Sequence, residues 1–143
     1  MENISEHISY LEAVYSGTAK RNNLKNVPDE KQLERMRVLA SNIFEPLRNH
    51  FGVRIYISSF FRSAEVNKVV GGSEYSQHVM GEAMDLDAEL YGGITNKQIY
   101  DFIKDNLDFD QLIWEYGTDE EPEWIHVSYT TRRPNRKQLI RIK

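Results

Sequence analysis

Between Asp29 and Gly52 the apolar residues Leu33, Met36, Leu39, Ile43, Leu47 and Phe51 recur every three or four positions. That period gives a helix one apolar stripe, which must be buried against another element. Asp29 with Gln32 forms a helix-starting box just after Pro28, and Gly52 closes the run.

The rest of the chain supplies the partners. Arg54 to Ser58 alternates and is β-branched, so it reads as a strand. Ser63 to Val69 predicts a short helix ended by Gly71-Gly72, and Ala83 to Asp87 a second strand. Thr95 with Gln98 is a capping box, with Ile94 and Ile99 at staple positions. Its helix carries Ile99, Phe102, Ile103 and Leu107 on one face. Strands follow at Asp110 to Tyr116, Trp124 to Tyr129 and Gln138 to Ile142. The first thirty residues are polar and weakly patterned, with a short helix expected from Ser5 to Val14 and then a loop. The order predicts an α+β fold, a small, mostly antiparallel sheet with helices on one face. A chain of 143 residues suits a single domain, 1–143, with 1–28 as an N-terminal extension packing on it.

Charge and composition exclude several classes. The net charge is -4 with both signs mixed along the chain, which makes no electrostatic case for nucleic acid or an anionic membrane as partner. No stretch approaches the roughly 18–20 apolar residues of a membrane helix, so no membrane insertion is expected. The opening MENISEHISYLEAVYSG has no basic region followed by an apolar run, hence no secretory signal. Synthesis in the cytoplasm and a monomeric state are the expectations. Cysteine is absent, so a transition metal would have to use His, Asp or Glu.

A catalytic zinc takes about three nitrogen or oxygen ligands and keeps a fourth position open. His78, Asp85 and His126 form such a set for one zinc ion. In a single helix, seven residues would separate His78 from Asp85 by ~10 Å, too far to share a metal. Gly81 between them predicts a turn, with His78 entering from a loop and Asp85 from the strand after it. Alternation in the Trp124–Tyr129 strand puts Ile125, Val127 and Tyr129 on a core face, and Trp124, His126 and Ser128 on the other. Glu123, three residues before His126 and behind Pro122, is the candidate general base. Arg62 is the candidate contact for a carbonyl oxygen, a peptide carboxylate or an oxyanion.

Ser59-x-x-Arg62, then Ser76-x-His78-x-x-Gly81-x-Ala83-x-Asp85, then Glu123-x-x-His126 resembles the zinc D-alanyl-D-alanine carboxypeptidases. That group includes the phage L-alanyl-D-glutamate endopeptidases, peptidase family M fifteen, and is related in fold to the hedgehog signalling domain. The likeness runs from about Asn26 to about Ser128 and takes in Asn67, Gly71-Gly72, the Thr95 helix and the Gln111 to Glu115 strand. It implies zinc on His78, Asp85 and His126, with Glu123 as base and Arg62 on the substrate.

The neighbours invite plainer readings. His7 and His50 are ordinary surface or core histidines. Asp87 shares a strand face with Asp85 and is open to being a fourth ligand, but is read as a structural residue or as an acceptor for a metal-bound imidazole, the latter role open to Glu115 as well. Glu115 is equally a solvated strand end. Trp114 and Trp124 are packing residues before they are substrate platforms. Ser76, Gln77 and Ser128 are supports beside the ligands, or substrate contacts. Arg132 to Lys137 reads as a solvated basic turn. The expected function is hydrolysis of peptide bonds in bacterial peptidoglycan stem peptides or cross-bridges. A phage or prophage lysis enzyme, acting on the wall after release, fits a chain without an export signal. The rivals are a D-Ala-D-Ala carboxypeptidase that trims wall precursors and a non-catalytic zinc-containing binding domain.

Overall fold

The computed structural model describes residues 2–143. Two serine caps shape its beginning. Ser9 starts α1 (Tyr10–Val14) and Ser16 starts α2 (Gly17–Arg21), each side-chain oxygen accepting from a backbone N–H three residues on. The helix expected from Ser5 is therefore shorter, because Ser5 and Ile8 pair with each other as a bridge. The loop expected after Val14 holds a second helix.

The amphipathic stretch is one continuous helical run. It comprises α3 (Glu30–Leu39), a π segment (Ala40–Phe44) and α4 (Glu45–Phe51). The Asp29–Gln32 box is formed on both sides, and Gly52 ends the run with φ of 67°. The widened turn falls just ahead of Pro46, which has no backbone N–H to donate.

β1 (Tyr56–Ser59), α5 (Ala64–Val69), α6 (Gln77–Met80), β2 (Ala83–Asp87), α7 (Asn96–Asn106), β3 (Gln111–Glu115), β4 (Trp124–Ser128) and β5 (Gln138–Ile142) complete the chain. β1 is the five-stranded sheet's first strand, and the order is β1-β2-β4-β3-β5. The first three ladders are antiparallel, but β3 and β5 run parallel, so the mostly antiparallel sheet expected is corrected to a mixed one. The reason is topological. β4 already has β2 and β3 on its two edges. The chain leaving Ser128 must pass the end of β3 and lay β5 along its free edge.

One face of the sheet meets the helices. Met84, Leu86, Leu112, Ile125 and Val127 join Met36, Leu39, Ile43 and Leu47 of the helical run and Ile99 and Ile103 of α7 in one buried cluster. Ile4, Ile8 and Ala13 of the N-terminal segment belong to it too. Burial of each large side chain is worth roughly 1.5–3 kcal/mol. Alternation then turns Asp85, Ile113, Glu115, Trp124 and His126 to the opposite face, which lines a cleft. Among the described residues, no helix is long and apolar enough to cross a membrane.

Candidate active site

His78 comes from α6, not from the loop expected. Ser76 caps this four-residue helix, its Oγ accepting from His78 N at 3.2 Å. Gly81 ends it with φ of 78°, and a Cβ there would lie 2.6 Å from the Gln32 carbonyl oxygen. Gln32 Nε2 also donates to Val79 O at 2.9 Å, so α3 clamps α6 against the sheet. Asp85 and His126 stand directly opposite each other on β2 and β4.

The three side chains converge. Asp85 Oδ1 is 3.1 Å from His126 Nδ1 and 3.4 Å from His78 Nε2. One ligand atom from each residue lies within 4.8 Å of the other two. His78 Nδ1 is 2.8 Å from the Phe60 carbonyl oxygen, which can only accept. Nδ1 therefore carries the hydrogen and Nε2 presents its lone pair. That Nε2 is buried without a hydrogen-bond partner. Burial pushes the His78 pKa down and keeps the ring neutral. Burial works to raise Asp85, but its closeness to the two imidazoles, His78 first and then His126, outweighs it and holds the carboxyl well below the usual range. A neutral imidazole with an orphaned lone pair, a second imidazole and an anionic carboxylate make a donor set suited to a divalent ion such as zinc. Asp87 is not their acceptor: its Oδ1 takes Asn96 Nδ2 at 3.1 Å and Glu89 N at 3.0 Å, anchoring the start of α7. Phe60 O holds the role expected of it.

Arg62 stands beside this group on a backbone fixed at both ends. Phe61 N donates to Ala13 O, and Ser63 N to Asn26 Oδ1 at 2.7 Å, so the N-terminal segment positions it. Burial lowers the Arg62 pKa, against the pull of Asp85. Its Nη1 reaches Asn67 Oδ1 at 3.4 Å while its Nε is buried and unpartnered. Gly72 leaves room for Asn67, since a Cβ there would fall 2.1 Å from Asn67 Oδ1.

A cleft of about 1010 Å³ opens over these residues, lined by Arg62, Ser76, Gln77, His78, Asp85, Glu115, Trp124 and His126. Ser128 lies outside it, fully buried, its Oγ accepting from Gln111 N. Glu123 does not line the cleft, and its side chain is exposed. Glu123 lies in the bend just ahead of β4, where its N–H donates to Glu115 O and its carbonyl accepts from Asn96 Nδ2. Glu115, by contrast, is half-buried within the cleft. Burial raises its pKa, helped by the charge of Asp85 and opposed by His126 and Trp124.

The basic turn is not simply solvated. Arg132 pairs with buried Glu82 at 2.7 Å, and Arg133 and Arg136 pair with buried Asp110 at 2.7 and 2.9 Å. Gln77 joins both acids through Nε2. Glu82 and Asp110 were missed in sequence. The available signal was charge complementarity, two acids beside apolar strands and a run of arginines with no other partner.

A family model described as Peptidase M15 matches residues 6–128. With the convergent His78, Asp85 and His126 on one face of a mixed α+β sheet, the class is that of a peptidase. The chain belongs to the peptidase M15 family. No curated protein matches the chain.

Proposed function

We propose that the protein is a zinc-dependent peptidase that hydrolyses peptide bonds in bacterial peptidoglycan, in stem peptides or cross-bridges, in the manner of a phage or prophage lysis enzyme. The observation that carries the metal is the buried, unpartnered Nε2 of His78 aimed at Asp85 and His126. An orphaned polar atom in that setting costs about 1–3 kcal/mol, and a cation shared by the three residues would remove the cost. His78, Asp85 and His126 would hold the ion. When bound, zinc polarises a substrate carbonyl and lowers the pKa of a coordinated water to about 7.

The chain's own residues supply the rest. Phe60 O holds the His78 tautomer so that Nε2 stays a lone-pair donor. Arg62 offers an unpaired guanidinium N–H to the oxygen on which negative charge develops, or to a substrate carboxylate. The cleft takes an extended peptide, and Trp124 gives it an apolar wall. Support for the wall as substrate is the family membership together with the motif set of Arg62, His78, Asp85 and His126. The test is mass spectrometry of a defined muropeptide incubated with the zinc-loaded protein. New amine and carboxyl termini within the peptide, abolished by a chelator and restored by zinc, are expected. Zinc uptake without any cleavage of wall peptides would favour a binding domain.

A further inference from the structure

We propose that Arg132, Arg133 and Arg136 form an anion subsite at one end of the cleft, which selects peptides carrying a carboxylate about three residues from the bond to be cut. The inference deepens the peptidase reading above and rests on it. All three arginines line the same cleft as His78, Asp85 and His126. They lie beyond residue 128, where the family match ends. Their side chains are partly exposed, whereas Glu82 and Asp110, which hold them, are buried.

The anchoring leaves donors free. Glu82 grips Arg132 through Nε and Nη2, and Asp110 grips Arg136 through the same pair of atoms but Arg133 through Nη1 alone. Arg132 Nη1, Arg136 Nη1 and both Nε and Nη2 of Arg133 meet no acceptor among the described residues. Three guanidiniums against two carboxylates also leave one positive charge uncompensated. Asp108 accepts from Asn135, and neither it nor the exposed Glu74 pairs with an arginine. A guanidinium fixed along one edge by a buried acid has little freedom left to lose when its other edge meets a second carboxylate.

Strand register gives the spacing from the ligand triad. Ile113 stands opposite His126, and Asp110 lies three residues before Ile113. At about 3.4 Å per residue the step is roughly 10 Å, the reach of about three residues of extended peptide. A substrate laid along the strands with its scissile carbonyl beside His126 would bring a side-chain or terminal carboxylate to the arginines. Gln77 ties the two ends of the cleft together. It precedes His78 in α6, and its Nε2 donates to Asp110 Oδ2 at 3.1 Å and to Glu82 Oε1 at 3.4 Å.

The experiment gives the zinc-loaded protein pairs of wall peptides that differ only by one carboxylate changed to carboxamide, about three residues from the bond cut. The acid lies on the amino side of that bond in one pair and on the carboxyl side in the other. In one pair the carboxylate peptide should be cut with kcat/KM about 10–100-fold above its twin, as a charge-assisted hydrogen bond gives. Arg133→Gln leaves Asp110 its bonds to Arg136 and Gln77. It should erase the preference by raising KM for the carboxylate peptide, while its zinc uptake matches the parent's. Arg133→Lys, which keeps the charge, should restore part of the preference. Equal cleavage of the twins in both pairs overturns the subsite. So does an Arg133→Gln variant that keeps the preference or loses both twins alike. A parent that takes up zinc and cuts none of the peptides overturns the peptidase reading instead. Calorimetric binding of the same peptides then decides the subsite: affinity about tenfold tighter for the carboxylate peptide supports it, and equal affinity overturns it.

Discussion

Asp85 and Asp110 are both withdrawn from water and both held well below the usual carboxylate range, yet their surroundings differ in kind. Asp110 is closed. Its Oδ1 accepts from Arg133 Nη1 and from the N and Nε of Arg136, and its Oδ2 from Arg136 Nη2 and Gln77 Nε2. Asp85 is open. It faces two imidazoles, one of which keeps a buried lone pair with nothing to meet it. A satisfied buried ion pair fixes a loop, here the 129–137 crossover that delivers β5 to its edge. An unsatisfied cluster of donors is stable only with something added. Asp85 thus serves the cleft it lines, while Asp110, buried behind it, holds in place the arginines that line it.

The sharpest way to break this contrast is to remove each acid. Asp85→Asn and His126→Ala should weaken zinc binding by more than about 100-fold, beyond the 10–100-fold typical of groups that only orient a ligand. Asp110→Asn should leave zinc affinity within about threefold. Thermal denaturation gives the next effect. At zinc 1,000 times its Kd the parent should gain about 4 kcal/mol, roughly 8–16 °C in Tm for a chain of this size. His126→Ala, bound at least 100-fold more weakly, should gain no more than about 1.4 kcal/mol at the same zinc concentration.

Asp110→Asn should instead lower stability by about 2–4 kcal/mol with or without zinc. Burial alone would raise the Asp110 pKa, but the hydrogen bonds and charges of Arg136 and Arg133 lower it. A folded pKa below the unfolded value, which is about 3.9, means stability that is complete above that pH and lost as pH falls further. Acid unfolding monitored by circular dichroism should therefore be steeper below about pH 4 in the parent than in Asp110→Asn. Equal slopes would mean that the arginines do not hold the charge.

Much of the open pole was legible in sequence. Period two in β4 separated His126 from the core, Gly81 marked the end of the segment that carries His78, and the Thr95 box lies where it was read. These signals are local. What escaped depends on register between distant strands. Glu115 enters the cleft only because β3 pairs with β4 in one alignment, set by a turn with Tyr116 and Gly117 at positive φ. Spacing along the chain singled out Glu123, three residues from His126, and gave no such mark to Glu115. The parallel β5 depends on which sheet edge is free, and α2 on a cap over a stretch too short for a period. The arginines found their acids across 23 to 50 positions of sequence.

The smallest effect concerns the support of His78. Ser76→Ala removes the α6 cap and should cost about 1 kcal/mol, read by denaturant unfolding, with zinc affinity reduced by no more than about tenfold. A larger loss of metal would move Ser76 from a supporting role to a ligating one.

Calorimetric titration of the chelator-stripped parent with zinc, beside Asp85→Asn and Asp110→Asn, tests the central claim most directly. One zinc per chain in the parent and in Asp110→Asn, with binding collapsed in Asp85→Asn, is the predicted result. Absence of uptake by the parent, or uptake that Asp85→Asn leaves intact, would contradict it.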